Sequence, residues 1–426
     1  MWRYYGLSFV IAILAIAVAG ALDHLGVFAA PTATLIAWLG QEGLVEVREF
    51  QAIVAILLAL FMGWAVVDIP RLPKSFSVWA AASILTLTLV PTLALYGILF
   101  EPFTGLSALG AAYLLGLAFA ATAAGRRKRR VGRMLGHRVA RPGLALALRQ
   151  NSAANVPVRD EISVVTCRIL NVGELAAALK PSEVLAIQEH FFTASRKLLF
   201  DAGAVLDLSA PDCLRGYFGC FEEIPGGAAH ASAACAAVVE LRASVRKMAV
   251  ECEDRWGEEV RFGLSVASGH AVLSAFGDPK HPTFSALGEA VDFGRRLAGA
   301  NARYGSRALV AARTYQLAKD KIEVRPMEML FDPSANTLVE VYEILGNAGD
   351  LSPEAASRRD AFWEGVVLLR CEKWAAAAKR FEAAMTDELA DYPLDFFLAQ
   401  ARKGGSASSS KAVRGRGKHA RSVDSL

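Results

Sequence analysis

Among the six cysteines and seven histidines of this 426-residue chain there is no Cys-x-x-Cys pair and no Cys/His cluster, which excludes the usual structural zinc and dithiol patterns. There is no Walker-type glycine loop, no Gly-x-Ser-x-Gly elbow and no His-Glu-x-x-His helix. Charge is scarce in the first 125 residues. Four apolar runs, about 7–22, 49–67, 76–99 and 105–125, hold most of a hydrophobic content of 54%. Each is about long enough to cross a hydrocarbon core of ~30 Å as a helix, and a four-helix transmembrane region over 1–125 is expected. Because three more spans follow the first, a retained signal anchor accounts for it better than a cleaved signal peptide.

Basic residues suggest an orientation. Arg3 precedes the first span, Arg71 and Lys74 separate the second from the third, and "GRRKRRVGR" follows the fourth, whereas the loop after the first span carries Asp23, Glu42, Glu46 and Glu49 against Arg48. The positive-inside rule then places both termini in the cytoplasm, as expected of a multi-pass protein of a bacterial-type inner (plasma) membrane. All six cysteines follow residue 126, in the reducing compartment under this topology, and are expected as buried thiols. The basic run at 126–130 suits anionic lipid of the bilayer rather than nucleic acid.

Residues 126–157 read as a basic connector helix broken at Pro142. From 158 to 346 strands and helices alternate. "EISVVTCRIL" has the β-branched residues of a strand, the stretch from Pro181 to Gly203 reads as an amphipathic helix, and "AVLDL" with "CLRGYFG" reads as a strand pair. Such alternation implies an α/β domain with one main sheet. Residues 358–402, with Trp374, Phe381 and Pro393, are similar to one tetratricopeptide (TPR)-like helical hairpin, which cannot bury its own face and should dock on the α/β domain. The Gly/Ser-rich basic tail, 403–426, is expected to be disordered.

In order, "APDCLRGYFG", "RFGLSVASGHAVLSAFG" and "FSALGEAVDFGRRL" resemble the motifs of class III adenylate/guanylate (nucleotidyl) cyclases, and the resemblance covers about 135–346. It implies a ferredoxin-like α/β fold, a head-to-tail dimer, and conversion of a nucleoside triphosphate to cyclic nucleotide and pyrophosphate with magnesium or manganese. In the family two carboxylates hold the metals. The first falls on Arg168 here and the second on Asp212, after Pro211 in place of the family's glycine. The base-recognition positions fall on Leu208, which cannot hydrogen-bond to a base, and on Thr283. The family's transition-state Asn falls on Asp292, and its companion arginine is kept as Arg296.

A cation at a metal ligand's position replaces attraction with repulsion, about 4 kcal/mol per pair of unit charges 4 Å apart at an effective dielectric of 20. The resemblance therefore implies a degenerate catalytic site in a regulatory or dimerising pseudocyclase. The alternatives are an active adenylate cyclase making cAMP from ATP, with a variant site or in a heterodimer, and a non-catalytic nucleotide sensor binding triphosphate through Arg168 and Arg296. Asp212 is expected to pair with Arg168. Arg296 faces either a triphosphate or Asp292 at i, i+4, Thr283 reads as a turn hydroxyl, and His270 and His281 read as solvated.

Overall fold

The computed structural model describes residues 2–40, 45–69, 72–149, 158–210, 212–221, 228–276, 283–332, 336–386 and 390–410. The chain divides into two compact units, Met1–Gly136 and His137–Leu426.

The first unit is helical. Among the described residues four helices are long and apolar enough to cross a membrane: α1 (Trp2–His24), α3 (Arg48–Asp68), α4 (Leu72–Ala94) and α5 (Pro102–Ala121). Their contacts rest on small side chains. Ala12, Ala15, Ala59, Ala108 and Ala112 are fully buried, and a Cβ on Gly63 would stand 2.8 Å from the Ser8 carbonyl oxygen. Such residues let helices approach closely where lipid removes the hydrophobic drive to associate. Hydroxyls are satisfied along their own helix, as where Thr86 Oγ1 donates to the Ala82 carbonyl at 2.8 Å. Large apolar side chains such as Phe9, Ile84, Leu85 and Leu114 face outward, as a lipid environment requires.

Two features depart from the apolar runs. The loop after α1 contains an 11-residue helix, α2 (Ala29–Leu39). The third run overshoots its helix: α4 stops at Ala94, the chain turns at Gly97 with φ +74°, and Ile98–Leu99 forms a strand, β2, parallel to β1 (Val45–Glu46). A left-handed turn of that kind favours glycine. The basic helix α6 (Ala123–Leu135) begins at Thr122, whose Oγ1 accepts from Gly125 N.

The second unit is built on an eight-stranded sheet among the described residues: β3 (Val158–Ile169), β4 (Val205–Ala210), β5 (Cys213–Phe218), β6 (Phe262–Phe276), β7 (Thr283–Leu287), β8 (Ala308–Ala311), β9 (Ile322–Asp332) and β10 (Thr337–Asn347). The order is β4-β5-β3-β6-β8-β10-β9, with β7 on β6. Its first four strands form the ferredoxin-like split βαβ, with β3 antiparallel to both β5 and β6. Between the strands run α8 (Val172–Ala178), α9 (Pro181–Asp201), α10 (Ala229–Trp256), α11 (Glu289–Tyr304) and α12 (Ala312–Ala318).

Period-two alternation divides the strands between two cores. Val165, Cys167 and Ile169 of β3, with Leu264 and Val266 of β6, pack with Phe191 and Leu199 of α9 and Val238 and Leu241 of α10. Ala267, Leu309 and Val341 pack instead with Phe293 and Leu297 of α11 and with C-terminal side chains including Phe362, Phe381 and Phe397. Gly263 lets α11 lie against β6, since a Cβ there would stand 2.3 Å from the Ala298 carbonyl oxygen.

The connector breaks at Gly136–Ala140, earlier than Pro142 suggests. Pro142 sits in the first turn of α7 (Arg141–Arg149), where its missing N–H costs no helical bond. The C-terminal hairpin is α13 (Pro353–Arg370) and α14 (Trp374–Ala383), followed by a third helix, α15 (Tyr392–Ser410), which extends beyond the expected end at 402. Cys167, Cys220, Cys235 and Cys252 are buried, but Cys213 is half-buried and Cys371 is exposed, so burial of every cysteine does not hold.

Candidate functional site

β3 and β5 run antiparallel with Arg168 opposite Cys213, which brings the end of β3 against the turn before β5. Ile169 N donates to the Asp212 carbonyl at 3.0 Å and fixes that turn. From this frame Arg168 Nη2 donates to Asp212 Oδ2 at 3.1 Å, both side chains being about a third exposed (32% and 29%). Gly299 of α11 faces the guanidinium, and a Cβ there would make an ordinary contact with Arg168 Nη1 at 3.8 Å.

Magnesium and manganese pairs are held by oxygen ligands, chiefly carboxylates. Among the described residues this corner holds one carboxylate, Asp212, already bonded to a guanidinium, and the residues do not fit a two-metal site. Among the described residues no group of three or more His, Cys, Asp or Glu side chains is arranged to hold a metal ion.

Arg296, on α11, does not pair with Asp292. Its Nη2 donates to Asp332 Oδ1 at 2.6 Å, at the end of β9, and the guanidinium lies 5.7 Å from the Phe293 ring centre. Asp332 is almost fully buried, and a buried carboxylate needs a cation or several donors, so it holds Arg296 more strongly than an exposed neighbour one helical turn away. Asp292 is exposed in the first turn of α11, where a carboxylate complements the helix dipole. Thr283 is exposed at the start of β7, and His270 is exposed on β6. The Leu208 backbone belongs to β4, while its side chain, Pro211 and His281 lie outside the described residues. Of the six candidate positions, the described residues show a direct bond between Arg168 and Asp212 alone.

A second carboxylate of the hairpin is buried and was not singled out from the sequence. Asp207 Oδ2 accepts from Tyr217 Oη at 2.5 Å and Ser285 Oγ at 2.9 Å, with Arg215 Nη2 3.4 Å away. The strands β4 and β5 set Asp207 opposite Arg215, and β7 carries Ser285. Burial and the Asp207 carboxylate both push the Tyr217 hydroxyl well above the usual phenol range, so it remains a donor. The signal was available: an aspartate inside the apolar strand "AVLDL" demands partners wherever it is buried.

No family model matches the chain. It is 24% identical over 191 residues to "Adenylate cyclase 1" of Rhizobium meliloti (strain 1021), an alignment covering 44% of this chain and 28% of that protein. The chain thus spans well under half the length of this curated relative. Among solved structures it is similar to the adenylyl cyclase CyaB from P. aeruginosa, with 20% identity, a TM-score of 0.41 and coverage of 46% of this chain and 99% of that one. It is similar also to the guanylyl cyclase Cya2, with 18% identity, a TM-score of 0.41 and coverage of 46% and 97%.

Proposed function

We propose that the sheet domain is a class III cyclase-like module with little or no turnover of its own, acting as a dimerising, regulatory pseudocyclase in cyclic nucleotide signalling. It would be carried by a multi-pass protein of the plasma membrane with both termini in the cytoplasm. The observation behind this reading is the Arg168–Asp212 bond: a cation stands at a position where the resemblance implies a metal-binding carboxylate, and it engages the remaining one. Removing one partner would not by itself create a metal site, because a second carboxylate is still missing.

The test is cyclic nucleotide formation by the full-length protein in detergent with manganese and ATP or GTP. No product above background is expected. Robust turnover that disappears in Asp212→Ala overturns the reading. The double variant Arg168→Asp with Asp292→Asn restores the family's residue types at both positions, and a gain of activity there identifies these substitutions as the block.

A second reading is supported by the 24% identity to a protein named adenylate cyclase. In a heterodimer with an intact partner, this chain supplies Arg296 to the shared site while the partner supplies both metal ligands. Arg296 must then leave Asp332, so cyclase activity appearing only on mixing and lost in Arg296→Ala supports it. A nucleotide sensor is the weaker alternative, because both arginines it needs already hold carboxylates.

A further inference from the structure

Six arginines converge where the C-terminal helices meet the sheet domain, around a cavity of about 300 Å³. Arg242 and Arg246 come from α10, Arg307 precedes β8, Arg325 lies on β9, and Arg358 and Arg359 lie on α13. Among the described residues two carboxylates line the same space, Glu343 and Asp391. Both are taken by Arg325, which donates to Glu343 Oε2 at 2.8 Å and to the two oxygens of Asp391 at 2.5 and 2.7 Å. Arg359 is held by Glu323 and by Asp360. Arg242 donates to the carbonyl oxygens of Ile344 and Leu345 at 2.9 and 2.5 Å. Arg246, Arg307 and Arg358 form no ion pair among the described residues. Asp387 and Glu388 lie outside them.

Guanidinium groups gathered in a concave site repel one another unless an anion stands among them. Burial pushes the Arg242 guanidinium below its ordinary range; Glu343 opposes this, while Arg307, Arg325 and Arg246 add to it. Guanidinium forks match phosphate oxygens in geometry, and the cavity is at the small end of ligand-sized sites. We propose that this seam binds a small phosphate-bearing anion, between pyrophosphate and a mononucleotide in size, through Arg246, Arg307 and Arg358. Because these residues belong to α10, the β8 entry and α13, the bound anion ties the C-terminal helices to the sheet. The inference is independent of whether the sheet domain turns over nucleotide.

The experiment is calorimetric titration of the full-length protein in detergent with pyrophosphate and, separately, AMP, at physiological salt. Saturable binding of either is expected, AMP preference marking a nucleotide and pyrophosphate preference an inorganic anion. The double variant Arg246→Gln with Arg307→Gln should weaken it by at least about tenfold, since each removes a charged hydrogen bond. Arg168→Ala, at the other site, should leave it unchanged. Hydrogen exchange on the wild type gives a second readout that needs no variant: backbone amides of Pro353–Arg370 should slow when pyrophosphate is added. The proposal is overturned by no saturable binding, by binding that sulfate matches, by binding indifferent to the double variant, or by exchange that does not change.

Discussion

Two arginine–carboxylate sites in the second unit use the same chemistry in different settings. At the end of β3, Arg168 meets Asp212 through one bond at 3.1 Å, with about a third of each side chain exposed. In the C-terminal seam Arg325 is buried, grips Asp391 through two bonds and Glu343 through a third, and lies 4.5 Å over the Phe362 ring. The first arrangement has little energetic weight of its own, so its importance is chemical: it determines what that corner can bind. The second joins elements distant in the chain, and its importance is structural. Arginine at a carboxylate thus has no fixed meaning, and burial with the number of bonds decides which role it takes.

The largest break in this comparison is Arg325→Met. It leaves two carboxylates without their cation and should cost about 3–5 kcal/mol, read as a fall in the thermal unfolding midpoint of the full-length protein in detergent. A change no larger than that of a surface variant would mean that the seam does not hold the helices. Asp391→Asn should have a smaller effect at neutral pH, about 1.5–3 kcal/mol for weakened charged hydrogen bonds. Burial pushes the Asp391 carboxyl up, but the Arg325 guanidinium more than offsets this and holds it below its ordinary 3.8. Its stabilisation is therefore fully present above pH 3.8 and is lost as pH falls through the lower folded-state value. The gap between wild type and Asp391→Asn should close in acid; a gap that widened there would contradict the pairing. Arg168→Ala should be the mildest, within about 1 kcal/mol by the same thermal measurement, as for other exposed pairs.

The elements that sequence revealed are those specified by neighbouring residues. The β-branched run 162–166 and the apolar segments announce a strand and four spans because period and length are local properties. Local information also explains the misreadings. Asp292 and Arg296 have ideal helix spacing, yet Asp332, 36 residues along the chain from Arg296, takes the arginine because a buried carboxylate has the greater need. The arginine seam was invisible for the same reason, since it draws on α10, β9, β10 and α13, and Arg242 reaches a carbonyl 103 residues away. At the candidate site the sequence identified which residue types meet at the β3 corner, while Asp207 gained its meaning only when Tyr217 and Ser285 folded around it.

The short parallel pairing of Val45 with Ile98 has a consequence of parity. Two strands sharing hydrogen bonds cannot stand on opposite faces of a bilayer, so the chain between them must cross an even number of times. The long helices α3 and α4 have the length and apolarity to supply two crossings. The 11-residue α2 rises only about 16 Å, too short to add another. If α1 and α5 also cross once each, the N-terminal end of α1 and the C-terminal end of α5 share a face, opposite the paired strands, whichever way the protein is inserted.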